Sequence, residues 1–145
     1  MVALGICLLA PPPPASAGQV RVIRVESVIS PSSADYIVTA IKEVEKDKMA
    51  ALVIELDTPG GLDTSMRVII KEMLAAERPI VVYVAPSGAR AASAGAFITV
   101  AAHIAAMAPG TNIGAAAPVA MGGQMDKTME KKVTNDAAAY MRTIA

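Results

Sequence analysis

At 145 residues the chain has room for one domain with a substantial core, and 54% hydrophobic against 18% charged residues excludes a disordered polypeptide. Thirteen basic and thirteen acidic residues cancel, so no excess charge points to nucleic acid or to an anionic membrane surface. Three tyrosines, one phenylalanine and no tryptophan are too few for base- or sugar-stacking platforms.

The first segment reads as a signal. Val2 to Ala10 is apolar, Pro11 to Pro14 follow, and Ala15-Ser16-Ala17 is the small-x-small pattern of a cleavage site before Gly18. Residues 1–17 are therefore expected to be a cleaved export signal, although no Lys or Arg precedes Arg21. The protein would then be exported, periplasmic or extracytoplasmic. Nine apolar residues are too short to span a bilayer, and the branched Ile6 before Cys7 argues against a lipid anchor there. Cys7 is the only cysteine, which excludes an internal disulfide and a thiolate metal cluster.

Residues 20–25 alternate as a strand does, and 33–48 carry Ile37, Ile41 and Val44 at helical spacing. Residues 51–56 are apolar apart from Glu55 and read as a parallel strand buried on both faces, ending in the turn Asp57-Thr58-Pro59-Gly60-Gly61. A helix over 63–76 follows, with Asp63 or Thr64 as cap and Met66, Ile69, Ile70 and Met73 as the buried stripe. The next strand is 80–84. Residues 85–92 read as a loop into a helix beginning near Ser93, and 104–107 as a short strand. After the loop Pro109 to Gly114 comes an undetermined stretch over 118–127, loop or lid, and then an amphipathic helix over 125–145 with no stop signal, so that the domain is expected to continue beyond it. This alternation predicts an α/β domain over 18–145, with a mainly parallel sheet flanked by helices on both sides and a site at the strands' carboxyl ends.

Two strands deliver glycine-bearing loops to that edge, and Ser93 stands in one of them. Ala and Gly on either side leave its hydroxyl unshielded, and the N–H of Ala94 points toward an oxyanion formed there. A plain helix-capping serine, and a plain glycine turn, are the alternatives.

The three motifs Asp57-Thr58-Pro59-Gly60-Gly61, Ser87-Gly88-Ala89-Arg90-Ala91-Ala92-Ser93-Ala94-Gly95 and Met107-Ala108-Pro109-Gly110-Thr111-Asn112-Ile113-Gly114, taken together, resemble the NfeD family of membrane-associated ClpP-class serine peptidases. The resemblance runs from about Val20 to the last residue. It implies the ClpP/crotonase-like fold, Ser93 as nucleophile and the Gly61 and Ala94 N–H groups as oxyanion hole. It implies too that the base is a lysine on the helix after the glycine loop, here Lys132, and that the chain acts on apolar peptide segments in the company of a membrane and a stomatin-like protein, as a homodimer. No metal or cofactor is implied.

The only histidine, His103, is another possible base, but a helix and a turn would carry it away from Ser93. On the last helix Met125, Met129, Val133, Ala137, Tyr140 and Ile144 form one stripe. At about 100° per residue Lys132 lies on its flank and Lys131 nearly opposite. A neutral Lys132 amine would need apolar surroundings that lower its pKa toward about 7 to 8; a snorkelling lysine is the alternative. Asp57 and Asn135 fit structural roles. Beside a Ser/Lys endopeptidase stand two other readings: a binding module for a stomatin-like membrane partner, and a crotonase-like acyl-CoA enzyme.

Overall fold

The computed structural model describes residues 18–116 and 126–145. The expected export signal, with Cys7, lies outside them, as do Met125 and most of the stretch over 118–127.

β1 (Val20–Val25) leads to α1 (Pro31–Lys46). This helix starts two residues earlier than its apolar spacing predicts, because Ser30 caps it. The Ser30 hydroxyl accepts from Ser33 N–H, Ser33 Oγ accepts from Ser30 N–H at 2.8 Å, and Pro31 supplies a preset first turn. β2 (Ala51–Leu56) is followed by α2 (Asp63–Ala75) and β3 (Ile80–Val84). Met66, Ile69, Ile70 and Met73 are buried on α2 as expected, but neither Asp63 nor Thr64 is its cap. Leu62 stands at that position without a side-chain bond, and Asp63 accepts instead from Arg67 Nε at 2.8 Å.

The chain continues through β4 (Arg90–Ala92), α3 (Ala94–Val100), β5 (Ile104–Met107) and β6 (Asn112–Gly114), of which β4 and β6 have three residues each. Sequence reading makes both β4 and β6 loops. α4 (Lys127–Ile144) closes the described chain, its first N–H groups capped by Asp126 at 2.8 and 2.9 Å.

The main sheet is parallel in the order β1-β2-β3-β5, and β4 pairs with β6 in a second parallel sheet. Leu52, Ile54, Leu56, Val82 and Val84 pack under Ile37, Ile41, Val44, Ile69 and Ile70 of α1 and α2. Burying each such side chain contributes about 1.5–3 kcal/mol. β2 alternates between half-buried and fully buried positions, so it is covered on one face and not on both. The other face presents Val22, Val53, Val81 and Ile104 in register across four strands, with Val22 57% and Ile104 53% exposed.

Candidate active site

Ser93 sits at a strand-to-helix turn between β4 and α3, with φ 51° and ψ −117°. That conformation is costly for a side-chain-bearing residue, by about 1–3 kcal/mol, and such strain gathers at functional sites. The surroundings hold it in place: Ser93 N–H donates to the Gly114 carbonyl at 2.8 Å, and the Ser93 carbonyl accepts from Ala96 N–H at 2.9 Å. Its hydroxyl makes no capping bond, which removes the plain helix-cap alternative. The strand–serine–helix turn places Ser93 in the wall of a cleft, the backbone arrangement of a nucleophile elbow.

The glycine turn after β2 packs directly on this serine. A Cβ on Gly60, whose φ is 109°, would stand 2.5 Å from Ser93 Cβ and 3.1 Å from Ser93 Oγ, so only glycine allows the approach. On Gly61 a Cβ would run into the Ile29 backbone. The adjoining Asp57 carboxylate accepts from Arg90 N–H at 3.0 Å, tying the turn to β4. Among the described residues no group accepts from the Gly61 or Ala94 N–H. Gly61, Ser93 and Ala94 line one cleft, of about 360 Å³, with Leu62, Met66, Phe97, Ala116 and Ala137 as its apolar lining and Asp63 and Thr64 as its polar one. An uncommitted pair of main-chain donors next to an alcohol is the arrangement that stabilises a tetrahedral oxyanion.

α4 reaches the cleft through Ala137 and is moored behind it. Arg67 of α2 donates to Asp136 at 2.6 Å and lies 4.2 Å over the Tyr140 ring, which stacks on Phe97 of α3 at 6.0 Å between centroids. Burial of Arg67 disfavours its charge, but Asp63 and Asp136 outweigh that and raise its pKa. Burial also raises the Tyr140 phenol above its ordinary value; the charge of Arg67 opposes this and Asp63 adds to it.

The structure thus brings Gly61, Ser93 and Ala94 together. It does not bring Lys132 to them: Lys132 is exposed and outside the cleft lining, like Lys131 and Asn135. The reason lies in how α4 packs. Val133, Ala137, Tyr140 and Ile144 turn inward, but Met129, a turn earlier on the same stripe, is 48% exposed. The apolar surroundings expected for a neutral Lys132 are therefore absent among the described residues. His103 lies at the far end of the sheet, its Nδ1 accepting from Ile80 N–H at 3.2 Å where β3 begins. No group of three or more His, Cys, Asp or Glu side chains placed to hold a metal ion occurs among the described residues. A residue missed in the sequence is Thr58, which is fully buried and bonds both polar groups of Gly60 through its hydroxyl.

A parallel sheet flanked by helices, with the serine turn at its carboxyl edge, defines a ClpP-like α/β domain. Residues 19–145 match the NfeD1b N-terminal domain, and the chain belongs to that family. It is similar to the membrane-bound protease PH1510 of Pyrococcus horikoshii, 38% identical over 128 residues, which are 87% of this chain and 29% of that protein. Its fold matches a serine-to-alanine mutant of the 1510-N membrane-bound stomatin-specific protease with a TM-score of 0.81 and 34% identity, over 90% of this chain and 64% of that one. A lysine-to-alanine mutant of the same protease, in complex with a substrate peptide, matches with the same TM-score, identity and coverage of this chain, and over 60% of its own. The chain therefore spans under a third of the length of the curated relative and less than two thirds of the solved chains.

Proposed function

We propose that this chain is the peptidase domain of a membrane-associated serine endopeptidase that cleaves apolar segments of membrane proteins. The observation that carries the reading is Ser93, held in a strained turn with the free Gly61 and Ala94 amides beside it and an apolar cleft in front. Ser93 Oγ attacks the peptide carbonyl as a base takes its proton, the two amides hold the tetrahedral oxyanion, the C–N bond breaks as that proton passes to the leaving amine, and water then hydrolyses the acyl ester to free Ser93. An alcohol needs a base to become nucleophilic at neutral pH. Lys132 is that base in this reading, and a shift that seats the exposed first turns of α4 on the cleft is needed to deliver its amine to hydrogen-bond reach. The related 1510-N protease, solved both as a serine mutant and as a lysine mutant with substrate peptide bound, supports the pairing. Its stated specificity for stomatin supports a stomatin-like protein as substrate or partner. Export through residues 1–17 and assembly as a homodimer belong to the same proposal.

Labelling with a fluorophosphonate tests it. Ser93 is modified, Ser93→Ala abolishes the label, and Lys132→Ala lowers its rate by at least about tenfold. Equal labelling of the Ser93→Ala chain refutes the assignment. The exposure of Lys132 favours a second reading, a non-catalytic module that binds a stomatin-like membrane protein. That reading predicts capture of such a protein by the Ser93→Ala chain together with no labelling of the unmodified one.

A further inference from the structure

The Gly61 N–H shares one rigid peptide plane with the Gly60 carbonyl and points the opposite way. Whatever fixes that carbonyl therefore aims the oxyanion donor. A peptide between two glycines has little steric preference for either orientation, so a donor carried on it needs an outside restraint.

The structure provides one at three points. The Gly60 carbonyl accepts from Ile29 N–H at 2.8 Å and from Thr58 Oγ1 at 3.3 Å, and the Gly60 N–H donates back to Thr58 Oγ1 at 3.1 Å. Thr58 is itself immobilised. Its N–H donates to the Arg90 carbonyl at 2.7 Å, and its carbonyl accepts from Ala92 N–H at 3.0 Å, so its backbone is stitched to the strand that ends at Ser93. Its methyl group seats on Gly95, where an added Cβ would stand 2.5 Å from Thr58 Cγ2. One fully buried side chain thus contacts the donor's peptide and the nucleophile's helix together.

We propose that Thr58 is a positioning residue whose hydroxyl latches the Gly60–Gly61 peptide with its free N–H facing Ser93, coupling the oxyanion donor to the nucleophile turn. The inference rests on the peptidase reading and deepens it. A threonine serving only to fill the core would be replaced by valine without effect on chemistry, since valine has nearly its shape.

The test compares the unmodified chain with Thr58→Val, which keeps the methyl packing and loses the hydroxyl, and Thr58→Ser, which keeps the hydroxyl. Should the valine variant fail to fold, Thr58→Ala takes its place. With an apolar peptide substrate, Thr58→Val lowers kcat on the order of 10²-fold, the scale of one lost oxyanion donor. KM changes by less than about twofold, because ground-state binding is untouched. Fluorophosphonate labelling slows in parallel, and Thr58→Ser restores both rates to within about threefold of the unmodified chain. In a crystal structure of the Thr58→Val chain the Gly60 carbonyl turns away from Ile29. A valine variant with unaltered kcat and labelling rate overturns the proposal, and so does one whose Gly60 carbonyl keeps its bond to Ile29. If the unmodified chain does not label at Ser93, the peptidase reading has failed; the carbonyl orientation then still decides the latch by itself.

Discussion

Ser93 carries side-chain chemistry in a backbone conformation that suits glycine. The unfavourable φ is sustained by the Gly114 carbonyl and by the tight seat on Gly60, so the strain is stored at the position where the hydroxyl must project. Replacing Ser93 by glycine should release it. Thermal or urea unfolding is expected to show Ser93→Gly more stable by about 1 kcal/mol, while Ser93→Ala, which retains a Cβ, gains nothing; equal stability of the two variants would deny the strain. The placement of Ser93 and Ala94 beside the Gly60-Gly61 turn was legible in the sequence, because one serine among Ala and Gly and a second glycine turn mark the carboxyl ends of neighbouring parallel strands; the role of Gly61 as an oxyanion donor came only from the resemblance to the NfeD family. Thr58 was not legible, since a threonine between a strand and a proline reads as turn punctuation. The signal that could have found it is the tendency of Thr to bond the backbone two residues on, which is the bond it makes to Gly60.

The helix α4 shows where periodicity stops being informative. Its stripe from Val133 to Ile144 packs as the 3.6-residue repeat requires, but the repeat is silent on how far along the helix a partner surface extends, and Met129 and Lys132 lie beyond it. The three-residue strands β4 and β6 were illegible for a related reason: alternation needs more residues than either strand has, and their pairing is set by partners far along the chain, Arg90 with Asn112 and Ala92 with Gly114. The mooring of α4 has a pH consequence. Burial raises the Tyr140 phenol above its unfolded value, so the folded state keeps its proton when the unfolded state has lost it. Stability from this residue is complete below the unfolded value of about 10 and falls as pH rises through the higher folded one. Between about pH 8 and about pH 11 the melting temperature should therefore drop more for the unmodified chain than for Tyr140→Phe. Phenylalanine keeps the ring against Phe97 and Arg67 without titrating. Parallel curves for the two proteins would count against desolvation of this half-buried phenol.

The fold class, the parallel main sheet and the chain order of its four strands and of the four helices followed from strands alternating with helices. The two-sided cover did not, because a run of apolar residues looks the same whether one face or both are packed. The two faces differ in what they should tolerate. Leu52→Ala, under α1 and α2, is expected to cost about 2–5 kcal/mol. Val22→Thr, on the open face, should change stability by less than about 0.5 kcal/mol. Urea denaturation checks both, and similar losses would mean that the open face is packed in solution. The order β1-β2-β3-β5 also repeats the order of synthesis. Each strand that leaves the ribosome finds its only earlier neighbour already in place at the growing edge, and no pairing in the main sheet waits for a later segment to be threaded between two older ones. The β4–β6 pairing, which brings Gly114 to the serine turn, needs a strand that is synthesised after all four strands of the main sheet. A nascent chain would thus assemble its scaffold by accretion and acquire a finished nucleophile only after residue 114 has emerged.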